Sequence, residues 1–136
     1  MNDTASKTLS VVVERELPHA PEKIWRALTQ PQLIEEWLMK NAFKPTVGHD
    51  FTLRADWGTV ECRVRTVEEN RKLSYSWNAK PLESIVTWTL TPTEKGTMLR
   101  MEQTGFKADQ PMFYGGARQG WPRFIDSLED VLARMD

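Results

Sequence analysis

Acid–base, nucleophilic and metal chemistry each need particular side chains at particular spacings, and this sequence holds few of them. Cys62 is its one cysteine, and His19 and His49 are its two histidines. One thiol cannot close an internal disulfide, and with two histidines it makes too few soft ligands for a structural zinc site. Cys62 alternates with charged residues between Val60 and Val64 and has no histidine near it in sequence, so a packed, inert thiol is expected. His49 and Asp50 are adjacent, but neighbours on extended chain point to opposite faces, so they read as turn residues and not as an acid–base pair. The acidic pairs Glu35–Glu36, Glu68–Glu69 and Glu129–Asp130 read as solvated faces. No nucleophile elbow, phosphate-binding glycine loop or metal-ligand spacing occurs, and neither metal nor cofactor is expected.

What remains is the chemistry of a pocket. Gln103 falls on the apolar parity of a strand pattern, where a buried amide must be satisfied by protein, water or ligand. Tyr75 has the same inward parity two strand patterns earlier, and Tyr114 and Arg118 can enter from a helical segment; Arg118 reads equally as a solvated helix residue. Six tryptophans are the strongest compositional signal, and each can bury a large area while seeking a partner for its N–H. Trp25, Trp37 and Trp57 read as core or turn residues; Trp77 and Trp88 share inward parity with Tyr75 and Val86, and Trp121 heads an apolar stripe near the C-terminus. Met101, Met112 and Phe113 add soft, adaptable surface, Met101 serving equally as core. The candidate ligand-binding set is therefore Tyr75, Trp77, Trp88, Met101, Gln103, Met112, Phe113, Tyr114, Arg118 and Trp121, with no catalytic residue assignable.

These side chains need elements to position them. "TLSVVVEREL", from Thr8 to Leu17, is dense in β-branched residues and places Leu9, Val11, Val13 and Leu17 on one side of a strand. Pro21 suits a first helical turn, with Ile24, Trp25 and Leu28 following at helical spacing. Thr29-Gln30-Pro31-Gln32 has the order of a capping box, opening a second short helix with Leu33, Ile34, Trp37 and Leu38 on its buried stripe. Five alternating patterns follow, centred on Phe51–Ala55, Val60–Val64, Leu73–Trp77, Val86–Leu90 and Leu99–Met101, separated by turns such as Asp56-Trp57-Gly58 and Glu94-Lys95-Gly96. Their polar positions are Thr, Ser, Arg and Glu, as an antiparallel sheet with one wet face requires.

The opposite, aromatic face needs a cover, and Trp121, Phe124, Ile125, Leu128, Val131, Leu132 and Met135 supply a long amphipathic helix. A start at Gln110 or Pro111 puts Pro122 inside that helix, where it removes a backbone bond and favours a bend at a cost of up to ~3 kcal/mol. The later half can then lie on the sheet while the earlier half lifts away and leaves room beneath. The expected fold class is α+β, a curved antiparallel sheet of about six strands with two short helices and a long C-terminal helix packed across it. The 136 residues suit a single domain, with residues 1–7 as a flexible tail.

A net charge of -1 gives no field to gather nucleic acid or an anionic membrane. No apolar run reaches membrane length and "MNDTAS" lacks the order of a signal peptide, so a cytoplasmic location without membrane insertion is expected.

Four stretches carry a family resemblance: "APEKIWRALTQPQLIEEWL" (Ala20–Leu38), "VGHDFTL" (Val47–Leu53), "VTWTLTPTEKGTMLRMEQTGF" (Val86–Phe106) and "GWPRFIDSLEDVL" (Gly120–Leu132). On these the chain resembles the AHSA1-like group of the START/Bet v 1-like (SRPBCC) superfamily, named for the activator of Hsp90 ATPase, from about Leu9 to Met135. The resemblance implies a helix-grip fold enclosing a cavity between sheet and helix, and a small hydrophobic or aromatic ligand as partner. It also keeps two other classes in view. One is an enzyme of cyclase or dehydratase type in which Tyr75, Tyr114 or Gln103 polarises a carbonyl. The other is a protein-interaction, co-chaperone-like domain, a role weakened by reading this chain as a free-standing domain without the namesake's N-terminal domain. A homodimer is compatible with all three.

Overall fold

A computed structural model of the chain describes residues 8–135; the tail expected over residues 1–7 lies outside them. The elements run β1 (Thr8–Leu17), α1 (Pro21–Thr29), α2 (Pro31–Trp37), β2 (Asp50–Ala55), β3 (Gly58–Glu68), β4 (Lys72–Ala79), β5 (Leu82–Pro92), β6 (Thr97–Lys107) and α3 (Pro111–Arg134). The class is α+β. One six-stranded sheet has the order β1-β6-β5-β4-β3-β2, antiparallel throughout. Strands β2 to β6 form a meander, and β1 returns from the start of the chain to pair with β6.

Alternation sorts the two faces. Leu73, Tyr75 and Trp77 of β4, Val86, Trp88 and Leu90 of β5, and Leu99, Met101 and Gln103 of β6 are buried on the inner face. Gly105 breaks this period: β1 pairs Leu9 with Phe106 but Ser10 with Thr104, so β6 bulges by one residue. The bulge turns Phe106 inward, where it is fully buried. Gly105 has φ +110, and a Cβ there would lie 2.7 Å from the Glu83 carbonyl oxygen, so no other residue fits without displacement.

Helices α1 and α2 cover one end of the inner face. Trp37 Nε1 donates to the Ala27 carbonyl at 2.8 Å, and its ring meets Trp88 edge-on at 5.5 Å. The expected capping box is not formed. Thr29 is spent as the last residue of α1, donating to the Trp25 carbonyl, and Gln30 caps α2 without a side-chain bond. Leu9, expected inside, is 44% exposed near the outer end of edge strand β1, beside the bulge. The acidic pairs are not simply solvated: Glu129 joins Asp126 in holding Arg15 at 2.6 and 2.5 Å, Glu36 holds Arg134 at 3.0 Å, and Glu68 bonds Arg71.

Helix α3 starts at Pro111 and contains Pro122, which has no N–H to continue the helical ladder. Its two halves differ. Ile125, Leu128, Val131 and Leu132 are buried, and the Arg15 and Arg134 ion pairs tie this half to β1 and α2. No residue of α3 before Trp121 is buried.

Candidate functional site

Beneath the first half of α3 the sheet is not filled, and a cavity of about 280 Å³ remains. Trp77, Ala79 and Leu82 come to it from the β4–β5 hairpin, Gln103 and Phe106 from β6 on either side of the bulge, and Met39 from just after α2. Helix α3 supplies Met112, Phe113, Gly116, Ala117, Gly120, Trp121 and Phe124. At Gly116 and Gly120 a Cβ would meet nothing within 4 Å, so the helix presents bare backbone to open space. Trp57, on the tight turn between β2 and β3, stands at the mouth 66% exposed, together with Met112 at 86%. Turn geometry asks for no indole at that position. No lining residue carries a charge.

Buried against the cavity is one continuous polar chain. The Trp121 indole N–H donates to Gln103 Oε1 at 2.6 Å, Gln103 Nε2 donates to Ser84 Oγ at 2.9 Å, and the Ser84 hydroxyl donates to the Trp77 carbonyl at 2.6 Å. Gln103 is 2% exposed and bonded once at its oxygen and once at its nitrogen by side chains, not by the strand-end backbone bond that its position also allowed. The chain holds the Trp121 ring against Trp77 (5.2 Å between centroids), Trp88 (5.6 Å) and Phe124 (5.5 Å).

Of the residues singled out in the sequence, Trp77, Gln103, Met112, Phe113 and Trp121 converge on this cavity, and the other five do not border it. Tyr75 is sealed in a separate aromatic cluster with Phe51 (5.4 Å) and Phe43 (6.3 Å), its hydroxyl accepting the Trp88 N–H at 3.0 Å. Burial pushes the Tyr75 phenol above its ordinary range. Trp88 and Met101 have no exposure, packed in the closed part of the core. Tyr114 turns to Phe106 at 5.8 Å, and the exposed Arg118 lies 5.7 Å from the Tyr114 ring centre.

The cavity holds no acid, base or nucleophile. Cys62 is buried in the core, where desolvation, and secondarily the charge of Glu61, push its thiol up to about 12. His49 bonds the Ala42 carbonyl at 2.9 Å and stacks on Phe51, away from the lining. Burial, then nearby Lys23, lowers the His19 pKa. Among the described residues no group of three His, Cys, Asp or Glu side chains could hold a metal ion, and no helix is long and apolar enough to cross a membrane.

Several lining residues escape a reading by alternation. Leu82 lies in a stretch that reads as turn, "NAKPLE", and Ser84, which bonds Gln103 behind the lining, directly follows it, although parity counted back from Val86 reaches both. Phe106 has the wrong parity unless Gly105 is taken as a bulge. Gly116, Ala117 and Gly120 carry the signal of small residues at helical spacing on one face. Met39 and Trp57 belong to irregular segments and have no period to read.

The family model described as Activator of Hsp90 ATPase homolog 1-like protein matches residues 18–133. The chain is similar in structure to protein MLL2253 of Mesorhizobium loti, at 59% identity and a TM-score of 0.91, over 94% of this chain and 99% of that one. It is also similar to protein BH1534 of Bacillus halodurans, at 25% identity and a TM-score of 0.81, over 91% and 96%. A third likeness is to the Aha1 dimer of Colwellia psychrerythraea, at 19% identity and a TM-score of 0.82, over 91% and 96%. No curated protein matches the chain.

Proposed function

The chain belongs to the Activator of Hsp90 ATPase homolog 1-like family, and from that premise we propose that it binds a small, largely apolar molecule between the sheet and the first half of α3. The observation that carries this reading is the contrast within one helix. Past Pro122 the interior is closed by buried side chains, and before it the same face ends in glycines over an aromatic-walled space. Its 280 Å³ sits at the lower edge of the ~300–1,000 Å³ of ordinary ligand pockets. That size suits a molecule of one or two rings, or one end of a longer chain leaving past Trp57 and Met112.

An enzymatic role draws no support from the lining, since Gln103 is the one candidate polariser that borders it. A homodimer is the second reading, favoured by the exposure of Trp57 and Met112 at the mouth. In it a second copy would cover both, the Colwellia relative of the same fold being a dimer. A panel of neutral aromatic compounds, followed by thermal shift and tryptophan fluorescence with sedimentation on the same samples, tests both. A compound at a hundredfold excess over its Kd should stabilise the protein by about 2.7 kcal/mol. A panel without any stabilising compound, with the protein sedimenting as a monomer, overturns both readings.

A further inference from the structure

The polarity of the buried amide beside the cavity constrains the ligand's chemistry, on the reading that the cavity binds a small apolar molecule. An indole N–H can only donate, so Trp121, 2.6 Å away, fixes the oxygen of the Gln103 amide on its own side. A backbone carbonyl can only accept, so the Ser84 hydroxyl hydrogen is committed to Trp77 at 2.6 Å, and Ser84 Oγ receives an N–H from Gln103 at 2.9 Å. Both ends of the chain are groups without a choice of role, so every direction between them is set. One hydrogen is left over. The second N–H of Gln103 has no acceptor among the described residues, on a side chain that is almost wholly buried and borders the cavity. The indole N–H of Trp77, on the same wall, likewise has no partner among them.

The cavity therefore has hydrogens to give, while its amide oxygen is already held by Trp121. With no charged side chain in the lining, a carboxylate or ammonium group would be buried without a counter-charge. We propose that the ligand is uncharged and presents a hydrogen-bond acceptor, such as a ketone, ester or ether oxygen, to Gln103 Nε2. Gln103 then selects the ligand and positions Trp121 at the same time.

Three probes of similar shape test this: 2-acetylnaphthalene, 2-ethylnaphthalene and 2-naphthoate, titrated while the indole N–H resonances are followed by NMR. The ketone should bind about fivefold to tenfold more tightly than the ethyl compound, the ratio that one hydrogen bond gives, and the carboxylate more weakly than both. Gln103→Met has a side chain of similar length without an N–H, and it should reduce the ketone's advantage over 2-ethylnaphthalene to about onefold, whatever it does to the affinity of both. The ranking on the unaltered protein decides if the variant does not fold. Equal binding of the ketone and the ethyl compound, or tightest binding of the carboxylate, overturns the ligand class and leaves the binding reading standing. Silence from all three overturns both.

Discussion

Cys62 and Tyr75 carry weakly acidic hydrogens into the core, and burial there has a consequence for stability in alkali. The thiol, ordinarily near 9.0, is pushed up to about 12 by desolvation, and the Tyr75 phenol moves up from its ordinary 10.0 for the same cause. Above pH 9 the unfolded chain gives up the thiol proton while the folded chain keeps it, so the unfolded state gains and stability falls as pH rises. Below pH 9 neither state ionises and the groups contribute no slope. The expected course is flat to about pH 9, then a decline approaching about 1.4 kcal/mol per pH unit from Cys62, steepening once Tyr75 joins above pH 10. Denaturant midpoints measured between pH 7 and 11 should show this for the parent protein. Cys62→Ala should lose the first of the two declines, and parallel curves for parent and variant would show that the thiol is not the cause. The inert character of Cys62 was legible from its alternation with charged neighbours. The sealing of Tyr75 was not, because parity gives the face of a sheet and not the neighbours above it; Phe43, from a segment without regular period, is part of what closes over its ring.

At the scale of elements, the sheet was legible almost strand by strand, since a half-buried strand writes its period into the sequence. What escaped was set by single residues that break the period: Gly105, whose bulge moves Phe106 to the inner face, and Thr29, which closes one helix and so cannot cap the next. Pro122 was legible as a helix residue, and the two halves of α3 on either side of it divide the labour. The second half is held by four buried apolar side chains and by Arg15 and Arg134, whereas the first half has no buried residue before Trp121 and no ion pair among the described residues. Local opening free energies follow such contacts. Amide exchange over residues 112–120 should therefore be at least about tenfold faster than over 125–132, a difference of some 1.4 kcal/mol in opening. A bound ligand should slow the first segment and leave the second unchanged. Uniform protection along α3 would mean that the helix opens as one body and that the first half is no separate entrance.

For the whole molecule, stability and cavity draw on the same glycines. Gly115, Gly116 and Gly120 lie in the interior of α3, where glycine is less stable than alanine by roughly 0.5–1 kcal/mol at each position. None has positive φ, and at each a Cβ would meet nothing within 4 Å, so neither conformation nor packing requires them. Alanine at all three should raise stability by roughly 1.5–3 kcal/mol, read from denaturant midpoints. The three differ toward the cavity: Gly116 and Gly120 line it and Gly115 does not. A marginally stable protein can carry replaceable glycines by drift alone, and the two explanations part on binding. If the glycines hold space for a ligand, Gly116→Ala and Gly120→Ala stabilise the fold while weakening a bound aromatic probe, and Gly116→Leu abolishes its binding by filling the cavity. Gly115→Ala then stabilises equally and leaves the probe's affinity untouched. The same affinity in all three alanine variants would assign the glycines to drift and remove the link between the open half of α3 and a ligand.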